Sequence, residues 1–518
     1  MKRSSLFVRA RHLSMIADIF CKYVRPRTVS LGAMFIPILL ITGCAVGPNF
    51  KRPNAPAVDG YTPQSLPAQT ASVEMQGGEA QRFVKNMDIP AQWWTLFQSK
   101  PLNELIERAL RANPDLEAAQ AALRGAWENV YAQRGAFFPA VEADFSATRQ
   151  RTAGVLTSPL ASGESIYNLH TAQVAVSYVP DVFGGTRRQV ESLKSQADFQ
   201  SCQLEAAYLT LTSNVVAAAV EEAALRRQIA ATMSIIEIQS KSLGLLQKQY
   251  ELGQIATMDV AAQEAALAQT QALLPPLEKQ LAQQRDLLAR LAGQFPSERF
   301  DEEFELSSLQ LPQDLPMSLP SKLVEQRPDV RSAEEQLHAA SAEIGVAVAN
   351  RLPNIALSAN AGSSATAIDQ LFASGTGFWS LAANLTQPIF QGGTLLHRQR
   401  AAEAAYDQAA ALYKSTVLSA FQNVADTLHA IQSDADALKA AAAAERAAGK
   451  SLTIARKQLE LGDISYLGLL NAEQTYQQAV ISLVQALANR YSDTVALFQA
   501  LGGGWWNRTD AANVGVGG

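Results

Sequence analysis

The stretch KQYELGQI, residues 248–255, returns 209 residues later as KQLELGDI, residues 457–464. Other landmarks recur in the same order at nearly the same interval: Pro139 and Pro353, Gly184-Gly185-Thr186 and Gly392-Gly393-Thr394, and LAG at 291–293 with LGG at 501–503. Ordered matches at one spacing indicate internal duplication. We therefore predict two copies of a unit of roughly 210 residues.

Each copy contains two segments in which apolar and polar residues alternate. In the first segment Val141, Ala143 and Phe145 alternate with Glu142 and Asp144. A period of two is typical of a β-strand with two different faces. The four predicted strands are at about residues 139–150, 167–180, 353–362 and 378–390. Glu142, Asp144 and His170 lie on these strands, where they can face a lumen.

Long helices are predicted after the strands, over residues 187–292 and 395–500. Each follows a glycine pair that suits a strand-to-helix turn, namely Gly184-Gly185 and Gly392-Gly393. Gly253 and Gly462 are the predicted turns at which paired helices reverse. Pro275-Pro276 occurs only in the first copy and predicts a kink or break in its return helix.

Composition excludes several classes of function. The 518 residues include 43 basic and 48 acidic side chains, a net charge of −5, so there is no basic excess for binding nucleic acid. The five histidines show no metal-ligand spacing, and no nucleophile-elbow context surrounds a serine. The glycine pairs do not fit phosphate-loop spacing. We expect no enzyme, no metal and no cofactor, and we interpret Cys202 as a buried small residue.

The N-terminal region is typical of a targeting segment. An apolar run at residues 31–43 follows basic residues and is too short to span a bilayer as a helix. Ile41-Thr42-Gly43-Cys44 resembles a bacterial lipobox. We therefore expect residues 1–43 to be a signal peptide and Cys44 to carry a covalent lipid. An ordinary signal with an incidental cysteine and an uncleaved anchor stay open, as does a translation start at Met15.

The remaining boundaries follow from these landmarks. We predict a lipidated N-terminal linker at 44–92 that lies along the surface, a first structural repeat at 93–300 and a linker at 301–318. A second structural repeat at 319–506 and a C-terminal tail at 507–518 complete the chain.

Four strands of this length match transmembrane β-strands, although a soluble pair of hairpins packed on helices gives the same alternation. If they enter a bilayer, four strands cannot close a barrel, and a bilayer excludes open sheet edges. Two copies of the chain give eight strands and three give twelve, of which only the larger barrel leaves a lumen.

Several segments together identify a resemblance: CAVGPNFKRP (44–53), WWTLF (93–97), RPDVRSAEEQLHAASAEIGVAVANRLPNIALS (327–358) and ALGGGW (500–505). They are similar to the outer membrane factor family, the TolC/OprM-like exit ducts of tripartite efflux, and especially to its lipidated NodT-like branch. The resemblance implies a mixed α/β membrane protein, a homotrimer in which twelve strands form an outer-membrane β-barrel continued by a long periplasmic α-helical barrel. It also implies a periplasmic adaptor and an inner-membrane pump, of the RND type, as partners.

The resemblance also implies where the duct closes. In relatives a leucine and, four residues later, an aspartate line the periplasmic constriction; the matching positions here are Leu467 and Asn471. Residues four apart share a helix face. Because Asn471 is uncharged, we expect a weaker cation preference and weaker divalent block. The alternative for both residues is ordinary helix packing.

Two other functions compete with the exit duct. A periplasmic adaptor, or membrane fusion protein, is also a lipoprotein with a long helical hairpin, but it contains one hairpin and no duplicated unit. A coiled-coil lipoprotein would lack the alternating strands. The exported substrate and the identity of the pump cannot be read from the sequence.

Overall fold

The computed structural model describes residues 45–64, 66–155, 160, 163–298 and 301–508. The predicted signal peptide, the lipidation site Cys44 and residues 509–518 lie outside this range. The described residues belong to one unit by their contacts.

Nine α-helices carry most of the described chain. In the first repeat they are α1 Lys100–Ala112, α2 Pro114–Arg134, α3 Gly185–Glu251, α4 Thr257–Gln271 and α5 Leu274–Leu291. In the second they are α6 Pro320–Gln326, α7 Pro328–Ala349, α8 Thr394–Leu461 and α9 Tyr466–Ala500. The 67 residues of α3 and the 68 of α8 each extend about 100 Å at 1.5 Å per residue.

The helix boundaries follow local chemistry. The Asn113 side chain accepts hydrogen bonds from the backbone N–H groups of Asp115 (3.0 Å) and Leu116 (3.3 Å), which caps α2 with Pro114 at its first position. The return helix of the first repeat is interrupted between α4 and α5, immediately before Pro275-Pro276. A proline inside a helix lacks the N–H that the preceding turn needs, so the predicted break has a direct cause.

Four long strands form one antiparallel sheet in which their order follows the chain. They are β2 Ala140–Arg151, β3 Ile166–Tyr178, β5 Asn354–Ala365 and β6 Gly377–Thr386. The last strand ends four residues before the predicted boundary, because Pro388 cannot donate to a sheet and restricts the residue before it. The two repeats meet where β3 pairs with β5, as in Val174 opposite Ala361.

Two predicted linkers pair with each other. Strand β1, Arg82–Lys85, lies parallel to β4, Asp314–Met317, with Phe83 opposite Leu315. The segment before α1 therefore does not simply lie along the surface, since Gln81 and Ile89 are buried. Alternation over four residues is too short to mark such strands in a sequence.

The main core joins both repeats around aromatic side chains. Trp93 stacks on Phe498 with ring centroids 5.2 Å apart, and Phe97 lies next to Tyr491. The Tyr491 hydroxyl donates to the Leu309 carbonyl at 2.9 Å. The WWTLF segment is thus an internal anchor for the last helix, α9.

Candidate functional site

The four-stranded sheet has one apolar and one largely polar face. Directly paired residues point to the same face, and the apolar set is every second residue of 141–147, 172–178, 355–361 and 379–385. Leu381 and Leu385 of this set are largely exposed in the single chain, at 74% and 70%. On the other face, Ser380 donates to Asn360 at 2.7 Å. Such a sheet can separate an apolar medium from a polar one.

The strand register corrects one expectation about charge. Glu142 and Asp144 lie on the polar face, opposite Ala175 and Gln173. His170 pairs with Ala147 and lies on the apolar face, so it does not share a face with Glu142 and Asp144 as predicted. His170 is an even number of residues from Val174 and Val176 on the same strand, and it therefore shares their face.

Three of the four predicted strand-to-helix glycines adopt left-handed backbone conformations, with φ of +79° at Gly184, +57° at Gly392 and +83° at Gly393. Gly185 instead begins α3, and a Cβ at this position would contact the Ala349 side chain at 3.1 Å. Gly184 and Gly393 thus allow the chain to turn, whereas Gly185 allows close helix packing.

The first described residues dock beside this turn. The Val46 backbone N–H donates to the Phe183 carbonyl at 3.0 Å. Arg188, 3% exposed, donates to the Val46 carbonyl at 3.0 Å and to the Asn49 side chain at 2.7 Å. The segment that follows Cys44 is therefore held at the boundary between sheet and helices, an arrangement that sequence periodicity does not encode.

A histidine fixes the next part of the same segment. His338 stacks on Phe50 with centroids 4.3 Å apart, and its Nε2 and Nδ1 lie 3.0 Å and 3.6 Å from carboxylate oxygens of Glu191 and Glu335. The interaction with the Glu335 carboxylate, opposed by burial, is the main reason why the pKa of His338 is raised, and the hydrogen bond with Glu191 adds to it. The charged imidazolium can thus bridge α3 and α7 beneath Phe50.

The far ends of the long helices turn at the two predicted glycines. Gly253 and Gly462 have φ of +73° and +77°. In each repeat the N–H of the next residue bonds back across the turn, from Gln254 to the Gln249 carbonyl at 2.9 Å and from Asp463 to the Gln458 carbonyl at 2.8 Å. This is a Schellman helix ending. We call these ends the helix tips.

Leu467 and Asn471 lie one turn apart near the start of α9. Leu467 is 63% exposed and Asn471 is exposed too. Neither side chain packs into the core of its own chain, so both are free to meet other molecules or other copies of the chain.

A buried polar cluster lies behind this exposed pair and was missed in the sequence. Glu473 is 2% exposed, its Oε1 is 3.5 Å from the Ser242 hydroxyl, and its Oε2 and the Tyr466 hydroxyl have no hydrogen-bond partner among the described residues. Burial raises the pKa of Glu473. The hydrophobic positions around it at helical spacing gave no signal of an embedded carboxyl.

Arg490 on α9 holds the N-terminal segment. It is fully buried, and its guanidinium donates to the Gly77 carbonyl at 3.3 Å, the Thr70 hydroxyl at 3.3 Å and the Glu79 carbonyl. Arg490 therefore acts as a clasp between two regions that are about 410 to 420 residues apart in the chain. A lone arginine in a helical pattern gives no sequence signal for this role.

Within 45–508, apart from the undescribed gaps, no group of three histidine, cysteine or acidic side chains is arranged to hold a metal ion. No helix in the described part of the chain has the length and apolarity needed to cross a bilayer. Burial raises the pKa of Cys202 to about 12, which makes its thiol a poor nucleophile at neutral pH.

Comparison with known proteins adds to this geometry. Residues 105–294 and 319–503 match the family described as outer membrane efflux protein. The chain belongs to this family. The two matched blocks fall one in each repeat, and the family consists of transport ducts, which confirms both the predicted relationship and the expectation that this efflux protein is not an enzyme.

Individual relatives match over most of their length. The toluene efflux pump outer membrane protein TtgC of Pseudomonas putida is 28% identical over 492 residues, covering 94% of this chain and 98% of TtgC. The structure of the outer-membrane channel OprN superposes with a TM-score of 0.79 at 27% identity, covering 89% of this chain and all of OprN. VceC of Vibrio cholerae gives a TM-score of 0.75 at 28% identity over 80% of this chain and all of VceC. The efflux protein thus has the TolC-like mixed helix and strand fold of bacterial outer-membrane channels.

Proposed function

We propose that this protein is the exit duct of a tripartite efflux system, conducting substrates passively from the periplasm across the outer membrane to the exterior. The observation that carries the proposal is the two-faced sheet joined, in each repeat, to one very long helix and the shorter helices that return along it. Its apolar face suits lipid and its polar face suits a water-filled lumen. The sequence contains no nucleotide-binding motif, so the energy comes from partners.

The sheet requires further copies of the chain. Strands β2 and β6 are its edges, and unpaired backbone groups are not tolerated against lipid. A homotrimer would pair β2 of each copy with β6 of the next and close twelve strands around a lumen. The long helices would then form an α-helical barrel on the periplasmic side.

The docked N-terminal segment supports lipidation at Cys44. Val46 is bonded beside the strand-to-helix turn, at the level where the sheet would leave the membrane. Acyl chains on Cys44 would then enter the periplasmic leaflet without stretching the linker. The lipid is an accessory tether because four strands of each copy would already be inserted.

The helix tips are the proposed gate and the proposed contact with partners. Leu467 and Asn471 would line the constriction from three copies, and paired tips would open when a periplasmic adaptor, joined to an inner-membrane pump of the RND type, splays them apart. TtgC is named as part of a toluene efflux pump, which supports a pump partner for this chain.

Reconstitution in planar bilayers tests the duct. We expect the purified, detergent-extracted protein to cross-link as a trimer and to form water-filled channels. A monomer without channel activity contradicts the proposal.

The gate has its own test. Asn471→Asp should increase cation preference and divalent block, whereas the neutral Asn471→Ala should leave both weak. Strong divalent block in the unmodified protein that persists in Asn471→Ala contradicts the assignment of Asn471. Disulfides engineered across neighbouring copies at the tips should stop export if the gate is there.

A further inference from the structure

The charged side chains of the four-stranded sheet all lie on one strand and are sorted by sign. Within β2, β3, β5 and β6 the acidic and basic residues are Glu142, Asp144, Arg149 and Arg151. Parity places both carboxylates on the polar face and both arginines on the apolar face. Charged side chains are expected on the polar face of such a sheet, so the arginines need an explanation.

The arginines stand at the end of the apolar face that is farthest from the helices. Strand β2 follows α2 in the chain, so its first residue, Ala140, is near the helices and its last residue, Arg151, is far from them. Four apolar residues from Val141 to Ala147 come first, a band about 20 Å long at 3.3 Å per residue. Arg149 and Arg151 follow directly on the same face.

Strand β3 adds polar groups beside them. Asn168 lies opposite Arg149, and His170 lies opposite Ala147, at the edge of the apolar band. Arg149, Arg151 and Asn168 are exposed. Neither arginine forms an ion pair with a described residue. We call Arg149, Arg151, Asn168 and His170 the rim patch.

We propose that the rim patch binds the phosphate groups of the anionic glycolipid that makes up the outer leaflet of the outer membrane. The inference rests on the proposed function, because insertion in the outer membrane is what brings the far end of the sheet to that leaflet. Continuity with the apolar band selects a lipid: acyl chains would cover the residues from Val141 to Ala147 while the headgroup reaches the patch.

The chemistry of the patch selects phosphate within that lipid. Guanidinium groups bind phosphate oxygens through paired N–H donors, and they do so better than a lysine ammonium does. Arg149 and Arg151 are two residues apart on one face, about 7 Å along the strand, which allows them to engage one phosphorylated sugar together. Asn168 can add an amide donor from the neighbouring strand.

Lipid binding by the full-length protein in detergent tests the inference. The probes are bisphosphorylated lipid A, dephosphorylated lipid A and inorganic phosphate, with bound lipid measured by native mass spectrometry. The variants are Arg149→Gln/Arg151→Gln, Arg149→Lys/Arg151→Lys and, as a control for loss of an exposed arginine, Arg124→Gln on the exposed face of α2.

The double glutamine variant should bind bisphosphorylated lipid A about tenfold or more weakly, since each basic residue near an anionic surface contributes about 1 kcal/mol. The lysine variant should lose less and the control nothing. Dephosphorylated lipid A should bind the unmodified protein as weakly as lipid A binds the glutamine variant, and inorganic phosphate should not bind at the same concentration. Equal binding of lipid A by the unmodified protein and the glutamine variant overturns the inference, as does equal binding of phosphorylated and dephosphorylated lipid.

Channel recordings in phosphatidylcholine bilayers separate this inference from the proposed function. Unmodified and glutamine-variant channels should conduct equally. An unmodified protein that forms no channel contradicts the duct, whereas normal channels with no difference in lipid A binding contradict only the rim patch.

Discussion

The two repeats place equivalent residues in different surroundings. Glu473 of the second repeat is 2% exposed at the helix tip, whereas Glu264, 209 residues earlier, is exposed. Arg490 is fully buried, but Gln280, 210 residues earlier, is exposed. The backbone unit is duplicated, yet the chain has only one N-terminal segment, and it is clasped by the return helix of the second repeat. Equivalent positions therefore differ in burial where the N-terminal segment, or the packing at a helix tip, contacts only one of them.

A third difference lies along the long helices. Asp434 of α8 lies beside Asp493 of α9, and burial together with the neighbouring carboxyl raises the pKa of Asp434 to about 7. The position 209 residues earlier is Leu225, which is buried. A half-buried carboxyl with a raised pKa thus replaces an ordinary apolar contact in one repeat.

The largest expected effect comes from the clasp. Arg490→Met should destabilise the protein by about 3 kcal/mol or more, because several buried acceptors of the N-terminal segment lose their donor. Thermal unfolding followed by circular dichroism measures the loss, and limited proteolysis should release residues 45–90 first. Gln280→Met is the matched control and should change little. Equal effects in the two variants would mean that Arg490 is not a clasp.

Asp434→Asn should have a smaller effect that depends on pH. The folded state keeps the Asp434 proton to about pH 7, while the unfolded chain releases it near the ordinary value of about 4. Stability from this group is therefore complete below about pH 4 and is lost as the pH rises through about 7. An uncharged amide at this position would flatten that part of the pH profile. Asp436→Asn, at an exposed neighbouring position, should leave it unchanged; identical profiles for all three proteins contradict a raised pKa at Asp434.

Glu473→Gln should stabilise the helix tips at neutral pH by about 1 kcal/mol, since it removes a buried charge. Burial raises the pKa of Glu473, so its ionisation penalises folding increasingly as the pH rises from the unfolded value through the folded one. Glu264→Gln is the matched control. Melting curves between pH 4 and 8 should converge at low pH for Glu473→Gln and the unmodified protein; a constant offset would show another cause.

The smallest effects should be alike in both repeats. Gly253→Ala and Gly462→Ala should each cost about 1 kcal/mol locally, because a Cβ has open space there and only the left-handed backbone resists it. Hydrogen exchange at the tips measures this opening. Gly244→Ala, inside α3 with open space and no left-handed φ, should instead stabilise its helix slightly. A strong difference between the two tip glycines would reveal unequal tip packing.

Local chemistry explains why much of the architecture could be predicted from the sequence. The strands, the long helices, the break before Pro275-Pro276 and the turns at Gly253 and Gly462 each depend on neighbours within a few residues. The short pairing of β1 with β4 was missed, because it joins segments about 230 residues apart and neither is long enough to show a period.

The sequence by itself determined the duplication, the alternation of each strand and the reversal of the helices, since periodicity and glycine conformation act locally. Only the tertiary structure decided which face each strand shares with its neighbour, that Arg490 and His338 hold the N-terminal segment, and that Glu473 is buried. These outcomes depend on register and on contacts between distant segments, where a shift of one residue moves a side chain to the opposite face. His170 shows the consequence: its residue type suggested a polar face, and it lies on the apolar one opposite Ala147.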